Sequence, residues 1–199
     1  RRVLFRSSIM KISTCLLPIG FAFLSVLTLP VAAQQKLVPA QSNLGFVVKQ
    51  MGVPVEGRFS KFDAQVSFDA AKLAASSVAF TVDIASATLG SAEIDSELPK
   101  TTWFNTAKVP QATFASSAFK ALGAGKYEVM GKLSIKGQSR DVVVPVTMTQ
   151  AGAVTTAIGV VPIKRLAFKI GENEWADTSM VADDVQVKFK LALTGVGKL

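Results

Sequence analysis

The sequence predicts an all-β domain of about eight antiparallel strands, the number whose barrel can just hold one small ligand. Three observations carry this. Segment after segment alternates apolar and polar side chains, the two-residue period of a strand with one dry and one wet face. Glycine and proline punctuate those segments at turn-like spacing. Only one stretch, 91–110, departs from the alternation.

The clearest strand is Asp183–Leu193. Val185, Val187, Phe189, Leu191 and Leu193 point one way, while Asp184, Gln186, Lys188 and Lys190 point the other. In chain order, Ser42–Met51 sets Leu44, Phe46 and Val48 on one face and is punctuated by Gly52-Val53-Pro54. Arg58–Asp69 alternates Phe62, Ala64, Val66 and Phe68 with polar neighbours, and Ala70–Ser76 reads as a short helical turn or loop. Ser77–Ala85 aligns Val78, Phe80, Val82 and Ile84. Residues 91–100 place Ile94 and Leu98 four apart, a helical spacing with acidic residues early, where the helix dipole favours them. Trp103-Phe104-Asn105 then reads as a turn that plugs an apolar surface. Gln111–Leu122 is a strand of lower contrast, and Tyr127, Val129, Gly131, Leu133 and Ile135 form the inward face of the next. Lys136-Gly137-Gln138-Ser139 fits a hairpin loop, followed by Asp141–Gln150, Ala153–Phe168 and Val181–Thr194. Such a chain encloses either a filled sandwich core or a barrel with an open interior, and alternation alone does not choose between them.

A leader precedes the domain. Met10-Lys11 opens it, an apolar stretch runs from Cys15 to Leu29, and Val31 and Ala33 satisfy the small-x-small rule for cleavage after Ala33. Residues before Met10 read as upstream of the start. The expected division is 1–33, upstream residues and cleaved signal peptide, and 34–199, one β-barrel domain. The mature segment would hold 166 residues with net charge +4, from 18 basic and 14 acidic side chains. Export predicts a periplasmic protein.

Composition excludes several chemistries. The chain has no histidine, and its one cysteine, Cys15, lies in the leader. The mature segment therefore lacks the usual acid–base group at neutral pH, a thiolate nucleophile and disulfides. No catalytic residue, metal ligand set or cofactor is expected. Serines are plentiful, yet none sits in a nucleophile elbow. Scattered lysines without interleaved aromatics argue against nucleic acid. Glu93, Asp95 and Glu97 could form a catalytic carboxylate set only if they converged, but residues two apart on a helix diverge, so a solvated helix face is expected. Glu172, Glu174 and Asp177 surround Trp175 without the ligand spacing of a calcium loop.

Four stretches resemble the YceI-like family of exported lipid-binding proteins. They are Ser42–Gly52 with Val55-Glu56-Gly57-Arg58-Phe59; Trp103-Phe104-Asn105 with Val109-Pro110-Gln111-Ala112-Thr113-Phe114; Tyr127–Gly137; and Arg165, Phe168, Gly171 and Trp175 followed by the last strand. The resemblance implies a lipocalin-like antiparallel barrel whose interior binds a polyisoprenoid lipid, of isoprenoid quinone or prenyl phosphate type. It also implies a non-catalytic carrier, acting as monomer or homodimer, and in some members an association with a membrane b-type cytochrome. The latter leaves an alternative, an interaction module with structural lipid. The family often has histidine where this chain has Gln50, which still donates and accepts hydrogen bonds.

On this reading Phe46, Val48, Phe80, Val82, Val129, Gly131, Leu133, Val187, Phe189 and Leu191 line an apolar channel. Gly131, with no side chain, is expected to leave room for a tail. Gln50, Lys164 and Arg165 are the candidates for head-group contact.

Overall fold

Alternation sorts the side chains as expected, and eleven strands join one antiparallel sheet among the described residues, 34–199 of the computed structural model. The expected leader, 1–33, lies outside them. The strands are β1 (Lys36–Leu37), β2 (Asn43–Gln50), β3 (Val53–Phe59), β4 (Phe62–Ser67), β5 (Ser77–Asp83), β6 (Ala87–Thr88), β7 (Gln111–Gly123), β8 (Lys126–Ile135), β9 (Gln138–Ala151), β10 (Val154–Lys164) and β11 (Val181–Thr194). One short helix, α1 (Ala92–Glu97), stands between β6 and β7. The order is β4-β5-β7-β8-β9-β10-β11-β2-β3-β6, with β1 on β11. The sheet curls into the antiparallel half-barrel of the lipocalin-like class.

Two short strands, β1 and β6, raise the count above the expected eight. A third addition is β3, which the sequence presents as punctuation. Pro54 and Gly57 are poor strand residues, but β3 borders β2 along its length and meets β6 only at Arg58 and Phe59. Proline is tolerated at such an edge because no partner needs its missing N–H. Gly57 lies opposite Phe46, whose ring covers it.

The curled sheet is joined at its seam in three ways. β3 continues into β4 through Ser60-Lys61, so one run of chain pairs β2 with its first half and β5 with its second. The Asp83 amide donates to the Lys61 carbonyl there, at 3.0 Å. At the other end Gln35 stands in for a strand residue. Its side-chain amide donates to the Phe68 carbonyl and accepts from the Phe68 amide, both at 2.8 Å, while neighbouring β1 pairs β11.

Turn chemistry fixes the hairpins. Met51-Gly52 and Lys136-Gly137 both have positive φ at each residue, the conformation whose twist suits a two-residue hairpin. The register of β7 on β8 slips between Ser116 and Ala118. Phe114 and Phe119 therefore both face inward although five residues separate them. That bulge explains the low contrast of this strand in the sequence.

Candidate functional site

Between the inward faces lies an apolar cavity of about 580 Å³, beside a packed cluster that includes Leu44, Val82, Ile84, Ile135, Ile163 and Phe168. On β11 its wall runs from Val181 through Val185, Val187, Phe189 and Leu191 to Leu193. Twelve residue steps at the strand rise span ~40 Å. The wall of the cavity thus follows most of β11.

Two ends can be distinguished. At the far end, Phe68, Tyr127, Met148 and Ala157 are all buried and pack as one cluster. The Phe68 and Tyr127 rings meet edge to face at 5.2 Å between centroids. At the other end, Gln50, Glu93 and Ile94 are the wall residues that are themselves exposed, so the cavity reaches solvent between the β2–β3 hairpin and α1. We call this end the mouth.

Flat aromatic rings help keep the bore open. Phe46 lies over Gly57, Phe114 over Gly131 and Phe189 over Gly159. Each ring fills the space that a side chain on the glycine would take, so it lies against the wall instead of crossing the middle. This corrects the reading of Gly131. The face is right, but the vacancy belongs to Phe114, and an added Cβ would come within 2.5 Å of the Ala115 carbonyl oxygen. Phe46, Val48, Phe80, Val82, Val129, Leu133, Val187, Phe189 and Leu191 all stand on the cavity wall.

Of the head-group candidates, the structure brings Gln50 to the mouth and gives the other two different work. Lys164 follows Ile163, which is buried, and so points outward, where it pairs with Asp184 at 2.7 Å. That hydrogen bond raises its pKa above the ordinary lysine value. Arg165 is 2% exposed and donates to five backbone carbonyls. They are Ala182 from Nε at 3.1 Å, Ile170 and Gly171 from Nη1 at 2.9 and 3.0 Å, and Trp175 and Val181 from Nη2 at 2.6 and 2.7 Å. A guanidinium has five N–H groups, so none remains for a ligand. Burial pulls its pKa down and the Asp183 charge opposes that. Arg165 thus latches the chain from 165 to 182 across the mouth. Gly171 is required beside it: its φ is +75°, and a Cβ would approach Nη1 to 2.3 Å.

Further contacts hold the mouth. Lys136 reaches from the β8–β9 turn to Glu172 at 2.9 Å and to the Lys169 carbonyl. The Gly171 and Glu172 amides both donate to the Thr102 carbonyl at 2.9 Å. Trp103 and Trp175 stand 5.4 Å apart between ring centroids. On α1, Asp95 accepts from the Thr88 hydroxyl and from the Leu89 amide at 2.7 Å, and these bonds lower its pKa. Glu93 and Glu97, four apart, do share a face and both line the mouth. In the sequence Asp95 stands between them, and neighbours two apart diverge, which hides the four-residue spacing of the pair. No group of three or more carboxylates converges on a common point among the described residues. Nor is any described helix long and apolar enough to cross a membrane.

A curled antiparallel sheet around an apolar cavity that opens beside Gln50 defines a barrel-type lipid-binding protein. The chain matches the YceI-like domain over residues 35–193, and it belongs to that family. A UPF0312 protein of Vibrio cholerae is 33% identical over 143 residues, which are 69% of this chain and 75% of that one. The crystal structure of Burkholderia cenocepacia BcnA superposes with a TM-score of 0.76 at 51% identity, covering 78% of this chain and 98% of that one. The fold is shared more distantly with a polyisoprenoid binding domain from Saccharophagus degradans, at TM-score 0.64 and 16% identity, over 81% of this chain and 98% of that domain.

Proposed function

We propose that this protein is a non-catalytic periplasmic carrier of a long-chain polyisoprenoid lipid, threaded into the bore with its head at the mouth. The single observation that carries the reading is the apolar cavity, blind at the Phe68–Tyr127 cluster and open beside Gln50. An isoprenoid tail offers only apolar surface, and each buried CH₂ contributes ~0.8 kcal/mol. The polyisoprenoid binding of the Saccharophagus domain, which has the same fold, supports the choice of ligand. The mouth favours a hydrogen-bonding head of quinone or hydroxyl type over a prenyl phosphate. Gln50, Glu93 and Glu97 line it, while Lys164 and Arg165 are engaged elsewhere. No resident cofactor enters this account.

Protein recovered from its own host tests the proposal by solvent extraction and mass spectrometry. A long-chain polyisoprenoid, near one per protein, is the expected result. Val187→Trp should sharply lower that occupancy at a stability cost of about 1–3 kcal/mol, because Val187 lines the cavity and also packs against the buried cluster beside it. Recovery of no long-chain lipid, or equal occupancy in the variant, contradicts the carrier reading.

A further inference from the structure

Eight large apolar residues are left exposed among the described residues, and four of them, Met51 (69%), Val53 (63%), Met180 and Ile94, lie at the mouth, while Leu122, Val143, Ile158 and Val160 lie on β7, β9 and β10. Met51 and Val53 form the tip of the β2–β3 hairpin, and the Met51 amide donates to the Met180 carbonyl at 2.8 Å, which brings Met180 beside them. Ile94 lies on α1 across the opening and is itself part of the cavity wall. The opening is thus flanked by an exposed apolar hairpin tip on one side and by Ile94 of the cavity wall on the other.

From this rim we infer that the mouth docks on a lipid bilayer, with the Met51–Val53 tip and Ile94 entering the interfacial region. The inference rests on the carrier reading above. A long isoprenoid tail is almost absent from water, so its source and destination are membranes, and an apolar rim lets the tail pass without crossing solvent. The shape fits as well. The tip is a projecting two-residue turn, suited to insertion rather than to a flat protein partner. Charge does not favour anionic lipid in particular, because Lys100 pairs with Glu97 and Lys136 with Glu172 around the opening. Docking is therefore apolar and survives high salt.

The test uses protein recovered from its own host, the double variant Met51→Ser/Val53→Ser, and the control Val143→Ser. Val143 is 54% exposed on the outer wall of β9. Sedimentation with phosphatidylcholine vesicles, with and without phosphatidylglycerol, reads partition, and extraction of each protein reads its lipid content. The double variant should lose about tenfold or more in partition, since two side chains lose most of their apolar area at the interface. The control should match wild type, and high salt should change little. Equal partition of wild type and double variant overturns docking while bound polyisoprenoid still upholds the carrier. Absence of polyisoprenoid from the wild type overturns the carrier instead. Binding that needs phosphatidylglycerol and vanishes in salt, or a rim whose mutation changes only self-association, also overturns the inference.

Discussion

The two ends of the bore are built by different means. The blind end is closed by side chains that only pack: Phe68, Tyr127, Met148 and Ala157, with Phe119 and Val146 against them. The mouth also has packed side chains, Phe168 and Ile170 with Trp103 and Phe104, but adds polar groups that bond to backbone, with Arg165 on five carbonyls, Lys136 on two further segments and Asp95 on the approach to α1. Packing gives a permanent floor. Directional bonds let irregular chain stand around an opening without exposing unsatisfied carbonyls. A cavity with one fixed and one adjustable end can admit a thread from a single side.

Mutation should separate the two. At the floor, Phe68→Ala removes a ring from a buried cluster and should cost about 3–5 kcal/mol, measured as a lower midpoint of urea unfolding for the whole domain. At the mouth, Arg165→Met strands five carbonyls and should cost about 3 kcal/mol, the penalty of breaking charge-assisted bonds in a buried site. Its signature differs from that of the floor variant. Trp175, whose carbonyl Arg165 holds, should shift its fluorescence before global unfolding. Coincident loss of all signals in both variants would break the distinction between the ends.

A smaller effect follows from pH. Hydrogen bonds from Thr88 and Leu89 to Asp95, from Lys136 to Glu172 and from the Ser179 hydroxyl and then its amide to Asp177 hold all three carboxyls below their ordinary values, and all three lie at the mouth. A carboxyl depressed in the folded state adds stability that is complete above its unfolded value, ~4, and is lost as pH falls through the depressed value. Acid should therefore loosen the mouth first. Hydrogen exchange at pH 7 and pH 3, each compared with the intrinsic amide rate at that pH, should show lower protection at residues 89–97 and 166–181 in acid, with the floor segment 126–131 little changed. An equal fall in protection at both ends would contradict this.

Much of the wall was legible because a strand fixes faces by parity. Val185 to Leu193, Phe80 and Val82, and Phe46 and Val48 point inward as their spacing requires. Parity also held the answer for Lys164, since Val161 and Ile163 face in and Lys164 must face out. What stayed hidden depends on register across strands. The ring over Gly131 comes from β7, beyond the reach of any single-strand pattern, and β3 reads as a turn because its proline and glycine are tolerated only where the sheet ends. The role of Arg165 was illegible for another reason. Its partners are backbone carbonyls, which every residue carries and no sequence marks.

The carrier reading stands on an open, apolar interior. Electron density from crystals of the protein purified from its own host tests it most directly. Continuous elongated density is expected from beside Gln50 to the Tyr127 ring, in contact with Val129, Val187 and Phe189. Side chains from opposite walls meeting in the middle, with no density between them, would contradict it.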